Sequence, residues 1–67
     1  MGKIDSQDAG RIRNDAWEAI DALQAIMKET GREYCFAYYI LEKAEKAQRC
    51  LDFIAATAKE YTQEGTK

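Results

Sequence analysis

Apolar residues recur along this chain at alternating steps of three and four, and only one residue interrupts the pattern strongly. From Ala9 to Ile26, and again from Ala37 to Tyr61, the spacing is that of a helix with one apolar stripe. Gly31 separates the two stretches, at a place where glycine commonly ends a helix and lets the chain reverse. The chain has no Pro and no Val and is rich in Ala, which favours helix over strand. The sequence therefore predicts an all-α fold.

The predicted helices occupy about residues 6–29 and 32–62. Asp5 and Ser6 are both residue types that cap a helix N-terminus. A connection of two to four residues makes the helices antiparallel neighbours. The 67 residues are then one helical-hairpin domain, 1–67, with 1–5 and 63–67 predicted as frayed ends.

The two apolar stripes predict the contact between the helices. Both follow the a/d spacing of a coiled coil, and about half of their positions are Ala, so the two helix axes can approach closely. The seam comprises Ala9, Ile12, Ala16, Ala19, Leu23 and Ile26 in the first helix and Ala37, Ile40, Ala44, Ala47, Leu51, Ile54, Ala58 and Tyr61 in the second.

The second helix carries more apolar surface than one neighbouring helix can cover. The run 34–41 is apolar or aromatic on every side. A lone hairpin of this size is also marginally stable. Two copies packed face to face solve both problems, so we expect a homodimer that forms a four-helix bundle; a higher oligomer or an obligate partner of another kind is the alternative. The residues expected in its interface are Tyr34, Phe36, Tyr39, Ile40, Leu41, Ile20 and Met27.

The sequence offers little material for catalysis. It has no His, no Ser–His or Cys–His pairing, no glycine-rich phosphate loop and no metal-ligand cluster. We therefore expect no enzyme, and no catalytic, cofactor or metal site. Cys35 and Cys50 fall within the second predicted helix, about 22 Å apart along its axis, too far for a disulfide. Free thiols and the lack of a signal peptide indicate the cytoplasm, while the role of the two thiols stays open.

Binding is the remaining class of function, and the composition bears on the partner. Ten basic and twelve acidic residues give a net charge of -2 and are mixed along the chain, which argues against nucleic acid. No apolar run is long enough to span a membrane. The residues expected to bind a second protein are the aromatic side chains off the seam and a neighbouring Arg, namely Phe53, Trp17, Tyr38 and Arg49.

Two of these assignments have an alternative. Trp17 is expected either to contact the external partner or to pack against the second copy. Tyr38, like Tyr34, fits the dimer interface as well as an external site.

The whole chain resembles the Rop-type plasmid regulators in architecture: two helices, a short turn, seam layers of Ala and Leu, and a similar length. That resemblance implies a dimeric bundle that recognises RNA loop pairs. The chain also resembles, in size and form, small phage accessory proteins that inhibit host regulators, such as the anti-activators that sequester quorum-sensing transcription factors. No residue role is taken from either resemblance.

Three functional hypotheses follow. The preferred one is a small dimeric protein that binds and inhibits or modulates another, unidentified protein of a host, such as a transcription regulator. The alternatives are a Rop-like regulator that contacts RNA or DNA, and an oligomerisation module of a larger protein. The sequence does not identify the partner, the host or the topology of the bundle.

Overall fold

Two antiparallel helices account for nearly all of the molecule. The computed structural model describes the backbone of residues 3–65 and the side chains of residues 3–62. Helix α1 spans Ser6–Thr30, helix α2 spans Ala37–Gly65, and the two pack against each other. The molecule measures 53 × 18 × 13 Å, so it is a single layer of two helices. The predicted all-helical hairpin is confirmed, and no strand occurs within residues 3–65.

Helix α1 begins as the sequence predicts and ends without using the special freedom of glycine. The backbone N–H of Asp8 donates a 2.8 Å hydrogen bond to the Asp5 carboxylate, which caps the helix. Gly31 follows the helix with φ −83°, and its N–H donates to the carbonyls of Met27 and Lys28 at 3.2 Å. Because this φ is open to any residue, the turn does not require glycine.

Helix α2 begins five residues later than predicted, so the loop comprises residues 31–36 rather than two to four residues. The Phe36 N–H donates to the Glu29 carboxylate at 2.7 Å, and the Ile40 N–H donates to the Phe36 carbonyl at 3.2 Å. These bonds define the first turn at a position with no conventional capping residue. Tyr34 and Cys35 therefore lie in the loop, and the prediction that Cys35 is helical was wrong.

The C-terminal end of α2 also differs from the prediction. The helix continues to Gly65, three residues beyond the expected end at 62. Residues 1–2 and 66–67 of the expected frayed ends lie outside the described residues.

The buried core between the helices consists of small side chains. Ala19 and Ala22 of α1 and Ala47 and Cys50 of α2 are at most 9% exposed. No large side chain among residues 3–62 is fully buried. A seam of this kind lets two helix axes approach closely, since the separation depends on the side chains at the contact.

Five residues predicted in the seam lie outside it. The exposed ones are Ala9, Leu23, Ala37, Ala44 and Leu51, whereas Ala22 and Cys50, which the predicted seam omits, are buried. The contact is therefore rotated away from the two leucines. A seam containing them would hold the helices further apart and would separate the alanines that now touch.

A tyrosine joins the free ends of the two helices. The Tyr61 hydroxyl lies 2.6 Å from the Asp8 carboxylate and 3.0 Å from that of Asp5, and it donates to them. The bond to Asp8, together with burial and the bond to Asp5, raises the pKa of Tyr61 from 10.0 to about 12. The Asp8 N–H and the Tyr61 hydroxyl hold the pKa of Asp5 below its usual value.

We expect Tyr61→Phe to lower the melting temperature at pH 7, because the variant lacks this contact. The folded-state pKa of Tyr61 is raised, so its contribution is complete below pH 10 and is lost as the pH rises through about 12. The difference in melting temperature between the two proteins should therefore shrink over this range. Thermal unfolding followed by circular dichroism measures the two melting temperatures at each pH. Their difference cancels the effects of ionisations that both proteins share. A difference that does not change with pH would contradict the assignment.

Candidate interaction surfaces

One side of the hairpin carries large apolar side chains that the fold leaves uncovered. On α1, Ile20, Leu23 and Met27 lie about 100° around the helix axis from the buried Ala19 and Ala22. Their exposed fractions are 41%, 48% and 73%. Such a continuous group of exposed apolar residues is typical of an interaction site.

Helix α2 contributes to the same side. Leu41 and Leu51 lie about 110° around its axis from Ala47 and Cys50, in the same rotational sense as on α1. Because the helices run antiparallel and face each other, the same sense of rotation turns both sets towards one side. We call this surface the apolar face; it comprises Ala9, Ala16, Ile20, Leu23 and Met27 of α1 and Leu41, Ala44, Leu51 and Ala55 of α2, with Gln48 and Lys59 in the same arc of α2.

The opposite side is polar, and we call it the charged face. It is marked by Glu18 of α1 and Lys46 of α2, whose side chains form an ion pair at 3.8 Å across the hairpin. Phe53 lies on this side of α2 and is 38% exposed. The hairpin is therefore amphipathic as a unit, with one apolar and one charged side.

An open cleft of about 830 Å³ lies on the charged face at the loop end. The rings of Phe36 and Tyr38 meet there, with centroids 6.0 Å apart, and Lys43 lies 5.3 Å from the centre of the Tyr39 ring. The cleft combines aromatic surface with charges of both signs; it is lined by Asp21, Gln24, Ala25, Lys28, Glu29, Arg32, Phe36, Tyr38 and Tyr39.

Glu29 forms the inner wall of this cleft and fixes its shape. It is only 5% exposed, and its carboxylate accepts the Phe36 N–H at 2.7 Å and lies 3.4 Å from the Arg32 guanidinium. A carboxylate at the start of α2 also interacts favourably with the partial positive charge of a helix N-terminus. Glu29 thus connects the end of α1 to the start of α2.

The residues expected in a dimer interface are divided between different surfaces. Ile20, Met27 and Leu41 lie on the apolar face, and Ile40 is half-buried beside the seam. The three expected aromatic residues lie elsewhere: Phe36 and Tyr39 line the cleft, and Tyr34 is exposed in the loop.

The residues expected to bind a second protein are also divided. Tyr38, Arg49 and Phe53 lie towards the charged side of α2. Trp17 is 57% exposed on the outer edge of α1, on the side away from α2. Tyr38, Arg49 and Phe53 are spread over about 22 Å of one helix, and Trp17 lies apart from them on α1.

Sequence reasoning missed the roles of Leu23, Leu51 and Glu29. The two leucines fit the seam spacing, so only the rotation of the helices reveals their exposure. No sequence pattern marked Glu29, because its carboxylate accepts a hydrogen bond from Phe36 only when the loop places the Phe36 N–H next to it.

Neither a metal-binding cluster nor a membrane-spanning helix is found in the described part of the chain. No group of three or more His, Cys, Asp or Glu side chains there is placed to hold a metal ion. Neither α1 nor the described length of α2 combines the length and apolar character that a membrane crossing requires.

Comparison of the chain with protein-family models, curated proteins and solved structures finds no match.

We expect Glu29→Ala to reduce the free energy of unfolding by about 1–2 kcal/mol, because the Phe36 N–H loses a charged acceptor. Glu29→Gln, which keeps an acceptor oxygen, should recover part of the loss. Glu33→Ala, an exposed loop carboxylate, is the matched control and should change stability little. Urea unfolding at one fixed protein concentration measures all three. Equal effects of Glu29→Ala and Glu33→Ala would show that the bond is unimportant.

Proposed function

We propose that this chain is a non-catalytic interaction protein, which self-associates through its apolar face into a four-helix bundle homodimer and binds a second protein through its charged face. The observation that carries the proposal is the exposure of Ile20, Leu23, Met27, Leu41 and Leu51 on one side of the hairpin. Water contact of this much apolar surface is unfavourable by roughly 25 cal/mol per Å².

The surface area of the chain supports the first part of the proposal, which is self-association through the apolar face. A compact monomer of 7.6 kDa has an accessible surface of about 4,300 Å², whereas this chain has 5489 Å². The excess of about 1,200 Å² is comparable with the roughly 800 Å² that each partner buries in a standard interface. A second copy on the apolar face would therefore bring the chain to the compactness usual for its mass.

The thinness of the core also supports self-association. Helical domains bury their apolar residues between packed layers, and this hairpin is one layer only. Its buried side chains, Ala19, Ala22, Ala47 and Cys50, are too small to provide much of the stability that a folded domain needs. A second layer would bury the larger apolar residues.

The second part of the proposal concerns the surface that remains outside such a dimer. Tyr38, Arg49 and Phe53 lie away from the apolar face, so dimerisation leaves them accessible. Aromatic and Arg side chains dominate the energy of protein interfaces. By occupying a surface of its partner, the dimer would inhibit or modulate that protein, and a transcription regulator of a host is one such target.

The charges favour a protein partner over nucleic acid. The Lys46 ammonium is paired with Glu18, and Asp21 lies in the same cleft as Lys28 and Arg32. Phosphate binding requires a surplus of positive charge on one surface, and the net charge here is -2. Trp17 lies about 60° around α1 from Ile20, so we assign it to the rim of the dimer interface.

Ile20→Glu should convert the dimer to monomer at micromolar concentration, since it places a charge near the centre of the apolar face. We expect the dissociation constant to rise about 100-fold or more, corresponding to roughly 3 kcal/mol. The matched control is Ala56→Glu, at an exposed position of α2 outside the apolar face, which should leave the dimer intact. Sedimentation velocity over a dilution series measures both. A wild-type chain that sediments as a folded monomer at high concentration would refute self-association.

Phe53→Ala should reduce recovery of the protein partner at least tenfold in a quantitative pull-down, because Phe53 is an exposed aromatic side chain on the charged face. Lys59→Ala, an exposed residue about 120° around the α2 axis from Phe53, is the control and should bind as wild type. Binding should change little between low and moderate salt, whereas a nucleic-acid contact weakens steeply. Equal recovery with both variants, or a steep loss with salt, would contradict a protein contact at this site.

A further inference from the structure

The apolar face is bulky at one end of the hairpin and nearly flat at the other. Contacts between the helices define which residues lie at the same height: Asp5 meets Tyr61, and Glu29 meets Phe36. A residue of α1 and the residue of α2 at the same height therefore have residue numbers that sum to about 66. By this rule the large side chains concentrate in the half of the face nearest the loop, which contains Ile20, Leu23, Met27 and Leu41.

The half nearest the free ends carries mostly small side chains. Ala9, Ala16 and Ala55 lie there, and Leu51 is the one large apolar residue of the face in that half. A flat half leaves room for the large side chains of a bulky half, and interiors pack at high density with few voids.

We propose that the two copies pack with their loops at opposite ends, so that the bulky half of each apolar face covers the flat half of the other. This inference rests on the proposed self-association and specifies its geometry. The two-fold axis then passes across the hairpin near residue 18 of α1 and residue 48 of α2. Each helix lies antiparallel to its own copy.

The pairing of large with small residues carries the inference on α1. With the axis at residue 18, the numbers of facing residues sum to 36. Ala16 of one copy then faces Ile20 of the other, and Ala9 faces Met27. Ile20 and Met27 thus each find a space that an alanine leaves open, which is the complementarity that close-packed interfaces require. Leu23 falls at the height of Arg13 of the other copy.

Helix α2 gives the same result independently. With the axis at residue 48, facing numbers sum to 96, so Leu41 of one copy faces Ala55 of the other. Leu51 falls within one residue, or about 1.5 Å, of the height of Ala44 on the other copy. The axis positions on the two helices sum to 66, so one axis satisfies both helices and the register of the hairpin.

The alternative two-fold arrangement places both loops at the same end. Helix α1 of one copy then lies on α2 of the other, at heights whose residue numbers sum to about 66. Met27 meets Leu41 at the loop end and Ala9 meets Ala55 at the free end, while Leu23 faces Ala44 and Ala16 faces Leu51 between them. Helix axes held apart by Leu and Met at one end would leave a gap between alanines at the other, because interaxial distance follows side-chain size.

A spin-label distance measurement distinguishes the two arrangements. Cys35 is exposed in the loop and Cys50 is buried, so Cys50→Ala leaves one native labelling site per chain. Cys35 lies 13 residues from the proposed axis, which predicts a distance of about 40 Å between labels. Loops at the same end predict roughly 15–25 Å, from helix spacing alone. A single distance near 40 Å supports the inference; the shorter distance, or a mixture of both, overturns it.

A cross-linking experiment tests the same contact without a label. In a chain with Cys35→Ser and Cys50→Ala, the pair Leu41→Cys and Ala55→Cys is about 21 Å apart along one helix and cannot form a bond within a chain. Mild oxidation should nevertheless yield a covalent dimer. The two single variants are the controls, since their thiols face no partner thiol and should remain reduced.

The outcomes separate this inference from the proposed function. A dimer in sedimentation that does not cross-link overturns the orientation and leaves self-association standing. A monomer in sedimentation overturns both.

Discussion

Close contact between small side chains organises this molecule. Ala19 and Ala22 of α1 meet Ala47 and Cys50 of α2, and no large residue enters the centre of that contact. The two helices can therefore approach closely, but they hide little apolar area between them. Every larger aliphatic side chain must lie beside the contact or outside it. The exposed apolar face is thus a direct consequence of a narrow seam.

Two polar contacts fix the register of that seam. Glu29 holds the Phe36 N–H at the loop end, and Tyr61 joins Asp5 and Asp8 at the other end. Tied at both ends, the helices cannot slide along each other without breaking a hydrogen bond. The bulky and flat halves of the apolar face therefore keep fixed positions. The proposed arrangement of two copies depends on that fixed register, because it matches residues on both helices at once.

The separation of the two faces links packing to the proposed function. Ile20, Leu23 and Leu41 lie on one side, while Phe53 and the aromatic cleft lie on the other. A second copy on the apolar face would cover the first group and leave the second accessible. In the arrangement with loops at opposite ends, the two clefts would also lie at opposite ends of the bundle. One dimer would then offer two separate sites to a partner.

How far the sequence predicted the molecule depends on the kind of signal. The three-four spacing and the break near Gly31 predicted the two helices, and Asp5 was recognised as a cap, because these signals are local. The spacing also marked a broad apolar stripe on each helix. It could not select which part of the stripe faces the neighbour: the spacing placed Leu23 in the seam and omitted Ala22, whereas the structure buries Ala22 and exposes Leu23. The start of α2 was misjudged for a related reason: its capping group, Glu29, belongs to the other helix.

The sequence by itself determined that this chain forms two helices with an apolar excess, because helix propensity and residue spacing act along the chain. Only the tertiary structure decided the rotation of the helices about their axes. That rotation buries alanine and cysteine in the seam and leaves leucine, isoleucine and methionine together on one face. Its physical reason is packing between two elements, in which closeness of approach depends on both surfaces at once and on neither sequence segment alone.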